Sequence, residues 1–310
     1  MKQLPIQSDS FQYILKSFTE WLDIQGYAPS TVYGFPIHVR EFFHDLETHY
    51  QITQVQQIKT NHFKEHYKRL VTRTNTRFGG ALSNVSLNKH IDALMKFAEY
   101  LRKSTRLELP YIKLQRNEQD TKSIDVVSVI EIKSLFKVCD DHAPLPLFEA
   151  IAWRDKALLT VFYSCALRRN EAYHLDLSDI NFDRQVLHVR KGKNYKERFV
   201  PFNKTSSVIL QTYIYDFRPL FNHNLQTTSL FVSAQGNRMS GQSMNLRLKI
   251  LVLRTDHLDL HQKQVSLHTL RHSIATHLLS AGMSLEKIST FLGHSSLEST
   301  QIYTHLAESH

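Results

Sequence analysis

The chain has 310 residues, of which 42% are hydrophobic and 22% are charged, and its formal net charge is +9 at pH 7. This length and composition are typical of a folded protein with two domains and exclude a disordered chain. No apolar run approaches the roughly 20 residues of a membrane-spanning helix, and two cysteines are too few for a disulfide framework or a cysteine zinc cluster. We expect a cytoplasmic protein whose basic charge favours a polyanionic partner.

The first hundred or so residues predict a bundle of four helices. Apolar residues from Phe11 to Leu22 recur at intervals of three and four and predict an amphipathic helix. Ser30 is a predicted N-cap for a second helix that runs toward Phe43, in which Pro36 predicts a late start or a kink. The third and fourth helices are predicted within NHFKEHYKRLVTRTNTRF and SLNKHIDALMKFAEYLRK.

The helical periodicity is lost beyond the fourth helix. We predict domains over residues 1–108 and 126–310, joined by a linker over 109–125. Ser128 and Glu131 form a capping-box pattern at the start of the second domain. That domain is predicted to contain a long apolar helix in WRDKALLTVFYSCAL, a β-hairpin in which QVLHV and RFVPF flank RKGKNYKE, and several more helices. The predicted fold is therefore mainly α, a helical bundle followed by a mixed but mostly helical domain with a small hairpin.

The segment LHTLRHSIATHLL, residues 267–279, places three histidines and an arginine on one predicted helix. His268 and His272 have the spacing of the zinc-binding helix in metalloproteases, but the glutamate of that motif is missing and Arg271 lies between them. We therefore predict no metal site. The helix alone could equally carry ordinary structural histidines, so its interpretation depends on residues elsewhere in the chain.

Several motifs of the chain resemble those of the tyrosine recombinase (integrase) family and occur in the same order. The chain carries ALRRNE, GKNYKERFVP, HTLRHSIATHL, LGHSS and TQIYTH where the family shows GLR..E, GKG.K.R.vP, H.LRH..A..L, LGH and a tyrosine nine residues after that histidine. Each motif alone is weak, and the ordered set is specific. The segments FTEWLDIQGYAPSTV and LNKHIDALMKFAEYL are similar to the family's helical core-binding domain. The chain departs from the family at Ala166, where glycine is usual, and in the short tail after Tyr303.

The resemblance implies an enzyme of site-specific DNA recombination that needs no metal, ATP or other cofactor. The family's catalytic positions are occupied by Arg168, Lys193, His268, Arg271, His294 and Tyr303. By this resemblance Tyr303 is the nucleophile that forms a 3′-phosphotyrosyl intermediate, and the paired arginines bind the scissile phosphate.

The other catalytic positions suit the remaining steps of strand cleavage. A lysine such as Lys193 can protonate the leaving 5′ oxygen, and we expect His268 to act as an acid or base while His294 contacts the phosphate. Glu171 either orients Arg168 or forms an ordinary surface pair with it. We expect His272 and His277 to have structural roles.

Basic residues outside the catalytic set are expected to contact the DNA backbone, with a solvated surface as the alternative. They are Lys64, Lys68, Arg69, Arg73, Arg77, Lys89, Lys191, Lys196 and Arg198. The expected partner is a double-stranded recombination site, held by a clamp of the two domains. A dimer on each site and a homotetramer on two duplexes are implied, at the nucleoid and without contact to a membrane.

Two other functions are compatible with parts of this pattern. A catalytically silent DNA-binding regulator on the same fold is disfavoured, because all six catalytic positions hold competent residue types. A relaxing enzyme similar to type IB topoisomerases is disfavoured by the two-domain layout and the Xer-like spacing. Among recombinases, Xer-like resolution of chromosome dimers and the integration, excision or inversion of a mobile element both fit.

Overall fold

The fold is mainly α with one three-stranded antiparallel sheet, as the sequence predicts. The computed structural model describes residues 4–75, 79–104, 114–117, 125–190, 197–221, 227–294, 299–301 and 303–304. The chain divides into two compact units, residues 1–122 and residues 123–310. Within the described residues, no helix combines the length and the apolar character needed to span a membrane.

Four helices form the first unit, which confirms the predicted bundle. They are α1 (Asp9–Ile24), α2 (Pro29–Tyr50), α3 (Thr60–Thr72) and α4 (Asn84–Ser104). Aromatic side chains from α1, α2 and α4 meet in its core, because the apolar stripes of these helices face one another. Phe11 stacks on Phe43 with ring centroids 4.3 Å apart, and Phe97 meets Phe43 edge-on at 5.3 Å.

The second helix differs from the prediction at both ends. It begins at Pro29, where a proline in the first turn loses no helical hydrogen bond, and it ends at Tyr50 rather than near Phe43. Pro36 lies inside the helix, so the predicted late start is wrong. The apolar residues after Pro36 are packed against α1 and α4, and this tertiary burial offsets the hydrogen bond that the proline cannot donate.

The second unit contains eight α-helices and the sheet within the described residues. The helices are α5 (Val129–Lys137), α6 (Pro146–Leu159), α7 (Arg169–Tyr173), α8 (Lys204–Thr212), α9 (Gly241–Arg254), α10 (Leu258–Gln262), α11 (Leu267–Ser280) and α12 (Leu285–Leu292). The strands are β1 (Ile180–Asn181), β2 (Val186–Val189) and β3 (Arg198–Pro201). The chain is also helical at residues 299–301 and 303–304.

The predicted capping box and hairpin are both present. The Ser128 amide donates to the Glu131 carboxylate at 2.7 Å, and the Glu131 amide donates to the Ser128 hydroxyl at 3.3 Å. Strands β2 and β3 are antiparallel, with Val189 opposite Arg198. The turn that joins them, residues 191–196, lies outside the described residues. Buried side chains of both strands pack into the core that also supports α6 and α9, so the first residue of β3 is held at a fixed place.

Candidate active site

Three arginines converge on the C-terminal end of α12. Arg168 precedes α7, Arg198 begins β3, and Arg271 lies in the second turn of α11. Their guanidinium groups donate to the carbonyl oxygens of residues 291–293 at distances of 2.7 to 3.4 Å. The last carbonyl groups of a helix have no partner within the helix and form the negative end of its dipole. The arginines therefore cap α12, and the end of α12 fixes the arginines.

The carboxylate of Glu171 binds the same arginines from the other side. Its Oε1 accepts hydrogen bonds from Arg168 at 2.8 Å and Arg198 at 3.0 Å. Its Oε2 accepts from Arg198 at 2.9 Å and from the Arg168 amide at 2.8 Å, and it lies 3.8 Å from Arg271. Burial raises the pKa of Glu171, but the hydrogen bonds from Arg198 and Arg168 outweigh it and lower this pKa to about 2. Glu171 is 3% exposed, so its pair with Arg168 is not a surface pair.

Arg271 is the most deeply buried of the three arginines, with 1% of its surface exposed. It donates to the carbonyl of Ala166 at 2.6 Å and to that of Leu292 at 2.7 Å. Burial, followed by the charge of Arg168, lowers its pKa to about 9, so it is still charged at neutral pH. Ala166 has a φ of 52°, a left-handed conformation that costs a residue with a Cβ atom roughly 1–2 kcal/mol and that glycine adopts freely.

Tyr303 lies beside this cluster, on the helical residues that end the described chain. Its ring centroid is 5.5 Å from that of His272 and 6.3 Å from that of His294. It is 1% exposed, and it packs against Ala166, Ala275, Ile288 and Leu292. Burial raises the pKa of the phenol, while Arg271 and Arg168 act in the opposite direction. The phenol is therefore protonated at neutral pH, and it would need a base to react as a nucleophile.

Three histidines surround the arginines and Tyr303. His268 lies on the exposed side of α11, and its ring meets that of His272 edge-on with centroids 4.6 Å apart. Packing that desolvates the ring, together with the neighbouring guanidinium groups, lowers the pKa of His268. Burial lowers the pKa of His272 and of His294 to about 4. His294 shares a hydrogen bond of 2.8 Å through Nδ1 with the Thr300 hydroxyl, which leaves Nε2 as its other polar atom.

His272 is the residue near the site that the sequence does not assign to it. Its ring lies closer to Tyr303 than that of His294 does, and its buried Nδ1 has no hydrogen-bond partner within the described residues. The signal that could have found it is its spacing of four residues from His268, which places both on one side of α11. His277, by contrast, shares a hydrogen bond of 2.9 Å with the hydroxyl of Tyr163.

Gly293 is required at the end of α12 for two reasons. Its φ is 65°, and a Cβ atom added there would lie 2.8 Å from Cδ of Arg198. The left-handed residue ends the helix and leaves its last carbonyls open to the arginines. The glycine before His294 is thus explained by backbone conformation and by the approach of Arg198.

Several predicted site residues lie outside the described residues. They are Arg77, Lys191, Lys193 and Lys196. In the first unit, Lys64 and Lys89 are exposed on α3 and α4. The other three basic residues predicted there form ion pairs, which are Lys68–Glu65, Arg69–Asp45 and Arg73–Glu41.

The ion pairs of Arg69 and Arg73 belong to a network with three histidines between α2, α3 and α4. Asp45 also binds the buried His66 at 2.8 Å, and the rings of His38 and His90 lie 4.0 Å apart. His90 is 4% exposed. Burial, then the charges of His38, His66 and Arg73, lowers the pKa of His90 to about 2. The network therefore keeps His90 uncharged in the folded protein.

Lowering the pH should destabilise the first unit through His90. The pKa of His90 in the folded protein lies below the value of about 6.5 in the unfolded chain, so below that pH the unfolded state binds the extra proton. The free energy of unfolding then falls by up to about 1.4 kcal/mol for each unit of pH. Urea unfolding at about pH 8 and at about pH 5 measures this fall. The free energy of unfolding should fall less between these two pH values in His90→Gln than in the wild type. Equal losses in the two proteins would contradict this role of His90.

Comparisons with known proteins identify relatives of this chain. The phage integrase family model matches residues 126–310. Tyrosine recombinase XerC of Oceanobacillus iheyensis is 30% identical over 305 residues, which cover 97% of this chain and 94% of the relative. Tyrosine recombinase XerD of Staphylococcus epidermidis is 32% identical over 228 residues, or 73% of this chain and 74% of the relative.

The fold is also similar to that of a solved recombinase. The structure of XerH site-specific recombinase bound to difH substrate has a TM-score of 0.67 and 18% sequence identity, and the match covers 98% of this chain and 84% of that one. The family model spans the cluster of arginines, Glu171 and Tyr303. The chain belongs to the phage integrase family and is a tyrosine recombinase, an enzyme of site-specific DNA recombination.

Proposed function

We propose that Tyr303 and the cluster of Arg168, Arg271 and Glu171 carry out strand cleavage in this recombination. The observation that carries the proposal is the convergence of Arg168 and Arg271 on one buried carboxylate, with the charges of both arginines acting on the buried Tyr303. A catalytically silent regulator would not need to keep a nucleophile and both arginines in this arrangement. The structure therefore gives no reason to prefer the regulator.

The proposed reaction transfers the phosphate from DNA to the enzyme and back. Oη of Tyr303 loses its proton and attacks the scissile phosphorus, the bond from phosphorus to the 5′ oxygen breaks, and the 5′ oxygen leaves with a proton. The product is a 3′-phosphotyrosyl link and a free 5′ hydroxyl. A 5′ hydroxyl from the other duplex then attacks the link and releases Tyr303, so the bond energy is retained without ATP.

The arginines provide positive charge where the transition state gains negative charge. Each planar guanidinium can donate to nonbridging phosphate oxygens while it stays charged. Glu171 offsets only one of the three neighbouring positive charges, so the cluster remains net positive toward the DNA. We assign acid–base catalysis to His268, and contact with the phosphate to Nε2 of His294.

The DNA substrate and the assembly belong to the same proposal. The partner is a double-stranded recombination site, bound by a domain over residues 1–108 and by a catalytic domain over 126–310. Lys64 and Lys89 are proposed backbone contacts, since both are exposed. Two subunits occupy each site and four bring two duplexes together, in the cytoplasm at the nucleoid. Light scattering of the complex with DNA measures this stoichiometry.

A covalent complex between the protein and DNA would test the proposed chemistry. Nicked candidate-site DNA traps the enzyme, because the short strand released by cleavage diffuses away and cannot rejoin. The complex should survive denaturing electrophoresis, form equally well in the presence of a metal chelator, and yield a phosphopeptide that contains Tyr303. Failure to form it on a site that the protein binds, or loss of it with the chelator, would contradict the proposal.

Lys193→Ala should slow cleavage far more than Lys191→Ala. The family resemblance makes Lys193 the acid that protonates the leaving 5′ oxygen, and general acid catalysis contributes about 100- to 10,000-fold. A substrate with sulfur in place of that oxygen needs no acid, because a thiolate is a good leaving group, so it should restore the rate of Lys193→Ala. Single-turnover cleavage of both substrates measures the effect. Equal effects of the two substitutions would refute the assignment of Lys193.

A further inference from the structure

We propose that Arg198 is a positioning residue, which holds Glu171 and the end of α12 so that Arg168 and Arg271 meet the scissile phosphate correctly. This inference rests on the proposed function of the arginine pair. It replaces the expectation that Arg198 contacts the DNA backbone. The three observations that lead to it are the hydrogen bonds of Arg198, its burial, and its place at the start of β3.

The hydrogen bonds of Arg198 are all directed into the protein. Its Nη1 and Nη2 donate to the two carboxylate oxygens of Glu171 at 3.0 and 2.9 Å, and its Nε donates to the carbonyl of Phe291 at 3.2 Å. A bidentate pair between an arginine and a carboxylate fixes the plane and the position of both groups. Its side chain is 10% exposed, and each of its three side-chain nitrogens already donates to an acceptor within the protein.

Arg198 supplies half of the hydrogen bonds that hold Glu171 in place. The other two come from the side chain and the amide of Arg168. If Arg198 were removed, Glu171 would depend on Arg168 alone, and the 3.8 Å contact with Arg271 would no longer be fixed. The expected result is a displaced arginine pair with the charge of both arginines intact. A displacement of about 1 Å in a catalytic site can slow a reaction about 100-fold.

The location of Arg198 also connects the hairpin to the active site. Arg198 is the first residue of β3, and in the ladder it lies opposite Val189, which is buried in the core. Its bond to Phe291 therefore ties the sheet to the end of α12, immediately before His294. Gly293 leaves room for this contact, since a Cβ atom there would collide with the Arg198 side chain. One side chain thus links β3 to the end of α12 and, through Glu171, to α7.

Arg190 offers a matched control on the same hairpin. It directly follows β2, and it binds the carboxylates of Asp176 and Asp179 at 2.7 Å, outside the active site. Arg190→Met therefore removes an arginine from an ion pair of similar geometry without touching Glu171. Thermal unfolding of Arg190→Met and Arg198→Met shows how much of any effect comes from stability alone.

The test is single-turnover cleavage of nicked site DNA at saturating protein, with the DNA affinity measured at several salt concentrations. Arg198→Met should cleave about 100-fold more slowly than the wild type, whereas Arg190→Met should match the wild type. The DNA affinity of Arg198→Met and its salt dependence should equal those of the wild type. In a protein that already carries Glu171→Gln, Arg198→Met should lower the cleavage rate little further, because both substitutions break the ion pair between Arg198 and Glu171. Arg198→Lys keeps the charge and should lose less activity than Arg198→Met.

Three results would overturn the proposal. One is a wild-type cleavage rate for Arg198→Met. Another is weaker DNA binding with a salt slope reduced by about 1, which indicates a lost phosphate contact. The last is that Arg198→Met lowers the cleavage rate of Glu171→Gln by as much as it lowers that of the wild type. If Arg198→Met does not fold, Arg198→Lys decides by the same criteria. A covalent complex formed by Tyr303→Phe would instead refute the proposed function, so the two failures are distinguishable.

Discussion

Tyr303→Phe should bind its recombination site as tightly as the wild type and form no covalent complex with DNA. The substitution removes only the hydroxyl oxygen that is proposed to attack phosphorus. The ring that remains can keep its contacts with Ala275, Ile288 and Leu292, since these contacts are apolar. Denaturing electrophoresis of labelled nicked DNA measures the covalent complex, and an electrophoretic mobility shift under native conditions measures binding.

Tyr163→Phe is the matched control for this result. The Tyr163 hydroxyl is hydrogen-bonded to His277 of α11 in the same unit, so its removal also deletes one partly buried hydroxyl. Tyr163 is not a proposed nucleophile, and its variant should form the covalent complex at the rate of the wild type. A covalent complex formed by Tyr303→Phe, or its loss in Tyr163→Phe alone, would show that Tyr303 is not the nucleophile.

Arg271→Met and Arg168→Met should lose similar amounts of activity but different amounts of stability. Each removes a guanidinium proposed to stabilise the transition state, and the loss of one such group costs about 100- to 1,000-fold in rate. Arg271 is 1% exposed and satisfies the buried carbonyls of Ala166 and Leu292, so its loss should lower the free energy of unfolding by about 3 kcal/mol. The loss of Arg168 should lower the free energy of unfolding by only about 1 kcal/mol, because its side chain is 20% exposed.

Single-turnover cleavage and urea unfolding of the two variants separate catalysis from stability. Both assays are best run at a temperature at which each variant is folded, so that the rates refer to folded enzyme. The assignment of the arginine pair would be refuted if either variant cleaved at the wild-type rate. The structural account of Arg271 would be wrong if the two variants were equally stable.

The local elements of the second unit could be predicted from the sequence because their signals lie close together in the chain. The capping box at Ser128 and the two strands of the hairpin each depend on a few neighbouring residues. The order of the family motifs then indicated which elements form the site. None of this required knowledge of contacts between distant residues.

The partners of the buried charges could not be predicted, because they come from distant parts of the chain. Arg198 and Glu171 are separated by 27 positions and Arg69 and Asp45 by 24, and no periodicity connects them. A basic hairpin or helix suggests DNA contact until its carboxylate partners are known. The continuation of α2 through Pro36 could not be predicted for the same reason. It depends on packing against α1 and α4, which overrides the local preference of proline.

The hydrogen bonds of the arginines to the end of α12 have a consequence for the reorganisation energy of the reaction. Peptide carbonyls and a carboxylate orient the guanidinium groups, so under the proposed function these dipoles would not need to turn as charge develops on the phosphate. The folding of α7, α11 and α12 provides this orientation. The binding energy of the DNA is then available for bringing the phosphate to the nucleophile.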